Sequence, residues 1–294
     1  MFQVLVGRRS VGAALVAASL GSGLSLASAR PAAAINLFSV DQDAQIGRQA
    51  ARDAERQLPM VRDGSVEGYL NAVVRRLSAV APGPRFDYHA RVVNAADINA
   101  FSLPGGPIYV NRGLIEAVRN EGELAGVVAH EMAHVAQRHG TAQVTKAYGA
   151  QLGLGLLAGV LGGRDQRIGM GEQIVGSLGL NALFMKFSRN AENEADRVGA
   201  QMMARAGYDP MAMASFFDLL SAQERRDPGA VAQFFSDHPA PRDRSANIRA
   251  LAAQMGRGGR ETQVGGLRNV QARLDDMPAP RRQASLRTMR LRGR

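Results

Sequence analysis

Residues 120–140, NEGELAGVVAHEMAHVAQRHG, constrain the fold more than any other stretch of the chain. Asn120 followed three residues later by Glu123 is a capping-box signature, so a helix has a defined start there. Leu124, Val127, Val128 and Val135 recur at helical spacing and form a face that other elements must cover. Gly140 offers a C-terminal stop. The same helix carries three of the chain's five histidines. Polar rings on a helix that must be buried need a reason.

His130 and His134 are i and i+4, so their rings stand on one face, one above the other. Glu131 is rotated from His130 by about 100° and reaches the space beside them. This is the geometry behind the H-E-x-x-H pattern, two imidazoles for a metal and a carboxylate for its water. A catalytic zinc takes three protein ligands and keeps one position open. His139 does not fit as the third, because the pattern that recruits a following histidine needs Gly and His where Gln137 and Gly140 stand. FSRNAENEADRVGA, residues 187–200, supplies a carboxylate instead. Glu192 and Asp196 share a helix face. Glu192 would be the third ligand, and Asp196 would accept the outer N–H of a ligand histidine and fix its tautomer. Glu194 points away and reads as a solvated helix residue.

Around this frame the pattern is mostly helical. Amphipathic helices are predicted over 41–58, 65–80, 188–207, 210–224 and 241–255. Residues 86–94 alternate as a strand, with His89 structural. INAFSLPGGPIYVNRGLI reads as two short strands joined at Pro104-Gly105-Gly106, a hairpin. The expected class is α+β, mainly α-helical, with a small β-sheet or hairpin beside the active-site helix. With no cysteine, disulfides, a thiol nucleophile and cysteine-ligated zinc are excluded, so a metal must be held by His and carboxylates.

Residues 1–34 read as a signal peptide: charge at Arg8 and Arg9, a soft apolar run, and small-residue cleavage sites near 29 or 34. Residues 35–255 then form the folded domain. Residues 256–294 hold ten arginines against three acidic residues, +7 of the net +10, and read as a basic, disordered tail. That tail is either solvated or a contact for anionic lipid head groups or an acidic partner. The glycine-rich run within 141–187 reads as a loosely packed helical flap or as a second lipid contact. A nucleic-acid surface would interleave aromatics with the basic residues. The tail has none, so nucleic acid is not an expected partner.

NAFSLPGGPIYVNRGLI, AHEMAHVAQRH, FSRNAENEADRVGA and DHPAPRDR together resemble the M48 family of zinc metallopeptidases over roughly residues 40–255. The likeness is to the exported bacterial branch, related to periplasmic protease-chaperones and to a mitochondrial inner-membrane peptidase. It implies a zincin-like domain with one zinc per chain on His130, His134 and Glu192, and Glu131 as general base. DHPAPRDR is similar to the family's H-P-x-x-x-x-R element, here His238 and Arg244. His238 would either stabilise the oxyanion or serve as a fourth ligand holding a resting state. Arg244 would anchor acidic groups near the site.

The expected function is that of a zinc metalloendopeptidase, periplasmic, acting on unfolded or misassembled exported proteins. An exposed strand edge adds an extended peptide by backbone hydrogen bonds. Phe101, Ser102, Leu103, Pro104, Gly105 and Gly106 are the expected substrate-binding residues on that ground. The alternative is a chaperone-like client binder with a latent zinc site. An intact Glu131 favours the enzyme, because a holdase needs no base.

Overall fold

Val66, Tyr69, Leu70, Val73, Val74 and Leu77 repeat at intervals of three and four, and in a computed structural model this stripe is the buried face of helix α2 (Gly64–Ser78). The structure describes residues 36–152, 186–238, 243–255 and 264–280. The expected signal peptide, the greater part of the glycine-rich run and the rest of the basic tail lie outside the described residues.

Helix α1 (Val40–Gln57) starts at a full capping box between Ser39 and Gln42. Strands β1 (His89–Val93), β2 (Ala100–Ser102) and β3 (Pro107–Asn111) form a sheet in the order β1-β3-β2. β2 and β3 make the expected hairpin, antiparallel, with Phe101 opposite Tyr109. β1 runs parallel to β3. The period-two alternation sends Ala90, Val92, Ala100, Ile108 and Val110 into the main helical core. It sends Val93, Phe101, Leu103 and Tyr109 to the other face, against Ile46, Ala50 and Ala54 of α1. The sheet thus has α1 on one face and α2 on the other.

A short helix α3 (Arg112–Ala117) leads into α4 (Glu121–Ala136), every residue of which is buried. Asn120 caps α4 by accepting from the Glu123 amide at 2.9 Å, but the return arm of the box is redirected. The Glu123 carboxylate accepts from the Arg119 amide at 2.7 Å instead. Gly140 does not end this helix. The C-cap is Gln137, Arg138 takes φ 59°, and α5 (His139–Leu152) begins at once. That left-handed backbone is unusual for a residue with a Cβ. The guanidinium secures it by reaching Asp43 at 2.5 Å and the Phe38 carbonyl at 2.6 Å.

Then follow α6 (Arg189–Arg205), α7 (Met211–Arg226), α8 (Pro228–Asp237), α9 (Arg244–Gln254) and α10 (Leu267–Asp275). The helix expected from 241 starts at Arg244. α8 was not expected, although Pro228 sits at the first helical position, where its missing N–H costs nothing. The expected disorder from residue 256 is corrected over 264–280. Leu267, Val270 and Leu274 form one apolar stripe and are buried in the core. Gln271 donates to the Ile115 and Val118 carbonyls, each at 2.9 Å, and Arg112 donates to the Pro278 carbonyl at 2.9 Å. Three apolar residues at helical spacing outweigh the arginines around them, which keep their charges in solvent.

Candidate active site

Two helices build the site, and a glycine lets them meet. A Cβ on Gly199 of α6 would lie 3.2 Å from the Ala129 carbonyl of α4. Close approach at that point carries the start of α6 alongside His130 and His134. Ser188 caps α6 by accepting from the Ala191 amide at 3.3 Å, and Glu192 occupies the first turn, where the helix dipole favours an anion.

His130, His134 and Glu192 come together with His238, all four buried, with one donor atom of each within 4.8 Å of the others. His130 Nε2 is 3.0 Å from His134 Nε2 and 3.4 Å from His238 Nδ1. The Glu192 carboxylate lies 3.6 Å from His130 Nε2, 3.5 Å from His134 Nε2 and 3.2 Å from His238 Nδ1. Three imidazole nitrogens and one carboxylate are a donor set for a borderline transition metal such as zinc. Glu192 Oε2, buried, has no hydrogen-bond partner, although Arg244 Nη1 stands 2.9 Å away as an ion pair. An oxygen left in that state fits a ligand role.

Around these donors the charges are arranged. His130 donates from Nδ1 to Asp196 at 3.0 Å. Arg244 clamps the same carboxylate through Nε at 2.6 Å and Nη2 at 2.8 Å, and its guanidinium lies 4.2 Å over the Phe217 ring. Burial works against an ionised Asp196, but Arg244 and His130 prevail and hold its carboxyl down to about 2. Burial likewise opposes the Glu192 charge, and His238, His130 and Arg244 overcome it, so that carboxyl also titrates low. Burial disfavours a charged His238, yet Glu192 and Glu131 raise it to about 9. Burial pushes the Glu131 carboxyl up, and burial together with the neighbouring imidazoles pushes His134 well below its ordinary value.

Glu131 points into the same space. Its Oε2 accepts from the Ser102 hydroxyl at 2.9 Å, while Oε1 faces His238 Nε2 at 3.3 Å and has no hydrogen-bond partner. The six hairpin residues divide between two sides. Ser102 faces α4 by the strand alternation. Phe101 stacks on Tyr109 at 4.8 Å, toward α1. Gly105 and Gly106 are buried at positive φ, and a Cβ on Gly105 would meet Ala44 at 2.5 Å, so this turn is seated on α1 and not presented to a ligand. Ser102, Leu103 and Pro104 line a narrow cleft together with His134, Val135 and Phe187.

Sequence reasoning missed three contacts. Phe187 stacks on the His134 ring at 4.1 Å. His139 Nδ1 is 3.0 Å from His134 Nδ1, and Glu194, read as solvated, lies 3.4 Å from His139 Nε2. A helix continued to Gly140 would turn His139 away from His134. The left-handed step at Arg138 aims it back. His89 bonds the Asp87 carbonyl at 2.9 Å from an exposed strand end, consistent with a structural place.

An H-E-x-x-H helix crossed by a second helix bearing a glutamate, with a metal-ready donor set between them, defines a metallopeptidase class of site. The profile of Peptidase family M48 matches residues 65–252, and the chain belongs to that family. It is 34% identical over 227 residues to the beta-barrel assembly-enhancing protease of Yersinia pestis, an alignment covering 74% of this chain and 45% of that protein. It is 29% identical over 220 residues to the mitochondrial metalloendopeptidase OMA1 of Schizosaccharomyces pombe, covering 72% and 62%. Against metalloprotease LoiP of Escherichia coli K12 the identity is 29% over 181 residues, covering 60% and 69%. The chain therefore spans less than half the length of the first of these relatives. Among the described residues no helix is long and apolar enough to cross a membrane.

Proposed function

We propose that this chain is a zinc-dependent endopeptidase that degrades unfolded or misassembled exported proteins in the periplasm. The observation that carries the proposal is the convergence of His130, His134, Glu192 and His238 donor atoms within 4.8 Å, beside the buried Glu131. His130, His134 and Glu192 would hold the ion, with Asp196 and Arg244 fixing the ligands from outside. A zinc ion bound there supplies a Lewis acid and makes water acidic enough to lose a proton near neutral pH. Glu131 takes that proton on its carboxylate as the water oxygen bonds to the scissile carbonyl carbon, and delivers it to the leaving amine nitrogen as the C–N bond breaks. Ser102 keeps Oε2 of the base anchored, which leaves Oε1 for the proton. Burial of the whole group strengthens each of these interactions by excluding water.

For substrate, the β2 edge is the apt surface. No strand pairs with its outer side among the described residues. An extended chain laid along it would pass Ser102, Leu103 and Pro104 on its way to the donor cluster. Backbone recognition of this kind selects unfolded segments over sequences. The relatives named for enhancing β-barrel assembly support an envelope client class.

The second reading, a client binder with a latent site, draws on His238. One ring lies 3.2 Å from the Glu192 carboxylate and 3.3 Å from Glu131. His238 in that place is a fourth donor that occupies the base as well, a resting arrangement rather than an oxyanion-stabilising one. The two readings separate in one experiment. Casein and an unfolded envelope protein are incubated with the full chain, with Glu131→Gln, and with chelated and zinc-restored samples. The endopeptidase cleaves, loses cleavage to the chelator, regains it with zinc, and drops about 10²–10⁴-fold in kcat in Glu131→Gln. Equal digestion by wild type and Glu131→Gln, or none at any zinc level, ends the peptidase reading. Client retention without cleavage establishes the second.

A further inference from the structure

His139 is the third histidine of the 130–139 stretch, and the mechanism above does not use it. We propose that His139 and Glu194 are a positioning pair that holds the His134 ring with Nε2 turned into the donor cluster. The inference rests on the zinc reading of that cluster.

A neutral imidazole has one N–H and one lone pair. For Nε2 of His134 to offer its lone pair, the proton must sit on Nδ1, and that N–H needs an acceptor. His139 Nδ1, 3.0 Å away, is the atom that can accept it. His139 then carries its own proton on Nε2, which points at Glu194 Oε2 at 3.4 Å. Each tautomer dictates the next, and the chain ends on a carboxylate with no proton left over. Phe187 holds the plane of the His134 ring by stacking at 4.1 Å. Stacking is indifferent to a half-turn of the ring, so only the hydrogen bond selects which nitrogen faces inward.

The two ligand imidazoles are therefore secured differently. His130 donates straight to Asp196, whose side chain is 9% exposed. His134 reaches its carboxylate through a second ring, and that carboxylate, Glu194, is 34% exposed. Outer partners of ligand histidines govern metal affinity by about 10–100-fold. Neither His139 nor Glu194 belongs to the donor cluster or lines the cleft beside it, so both act through His134.

The test titrates zinc into the full-length protein against a chromogenic chelator, with His89→Ala as a control variant away from the site. His139→Ala weakens zinc binding by about 10–100-fold and lowers kcat at unchanged KM. His139→Asn, whose carboxamide oxygen accepts near the lost Nδ1, recovers most of both. Glu194→Ala weakens binding less than His139→Ala, and the double variant is no weaker than His139→Ala alone, as a serial pair requires. Wild-type zinc affinity in His139→Ala overturns the pair, as does an Asn variant no better than Ala. Should His139→Ala fail to fold, Glu194→Ala carries the test from a partly exposed side chain, and unaltered affinity there overturns the pair. A wild-type protein that takes up no zinc sinks the zinc reading together with this inference. Variants that bind as tightly as a zinc-loaded wild type sink this inference alone.

Discussion

Glu121 at the start of α4 and Glu131 ten residues along it are each 1% exposed, yet their carboxylates live in opposite circumstances. Glu121 accepts from the Tyr208 hydroxyl at 2.9 Å, the Tyr69 hydroxyl at 3.1 Å, and the Val264 and Gly265 amides at 2.5 and 2.9 Å. Both its oxygens are satisfied, by four groups from three separate parts of the chain. Glu131 has one oxygen on Ser102 and one with no hydrogen bond. A buried carboxylate with every lone pair engaged ties elements together. One left partly open has been desolvated without compensation, and it persists where a ligand or a proton completes it. The same helix is a structural tie at one end and a reactive surface at the other.

That contrast breaks most visibly through activity. Glu131→Gln is expected to lower turnover as above while its thermal midpoint stays level or rises, since a buried carboxyl with one oxygen left without a hydrogen bond is removed. A loss of stability comparable to the loss of turnover would erase the distinction. Glu121→Ala should do the reverse. Urea denaturation is expected to show about 3–5 kcal/mol lost, because two hydroxyls and two amides lose their acceptor, with kcat per folded molecule kept. Truncation after Met255 removes the Val264 and Gly265 amides with the buried Leu267, Val270 and Leu274. Set against the entropy of the freed segment, the expected cost is about 3 kcal/mol, a fall of roughly 6–12 °C in Tm. A truncated chain with the parent midpoint would return the tail to a solvated appendage.

The smallest effect is a matter of pH. Burial, with the Glu121 charge behind it, raises the Tyr69 hydroxyl above its ordinary value near 10, and burial with the Glu121 hydrogen bond does the same for Tyr208. The folded chain therefore keeps both protons where the unfolded chain has released them. Their contribution is whole below about pH 10 and declines as pH rises beyond it. Denaturation midpoints taken from about pH 9 to 11 should fall, and fall less steeply in Tyr208→Phe. Equal slopes in the two proteins would detach the tyrosines from the tie.

Much of the site was legible because its pieces are short-range. The angular step of a helix puts His130 over His134 and Glu192 over Asp196 whatever surrounds them, and the same step defines the stripes of α2 and α4. Elsewhere the local pattern was insufficient. Phe101, Gly105 and Gly106 read as substrate contacts because nothing local says that α1 covers them. The helix at Leu267–Asp275 hid in a basic segment, since three apolar residues count only once a core exists to receive them. The role of His139 hinged on one backbone angle at Arg138, set by Asp43 and Phe38, 95 and 100 residues away.

By itself the sequence determined which side chains share a helix face, where the helices begin, and that any metal must be met by imidazole and carboxylate. Tertiary structure alone decided which faces meet, that Arg244 and His238 join His130 from 114 and 108 residues away, and which buried oxygens go without a partner. The division has a physical cause. Backbone geometry acts over a few residues, whereas desolvation and charge pairing depend on whatever packing brings alongside.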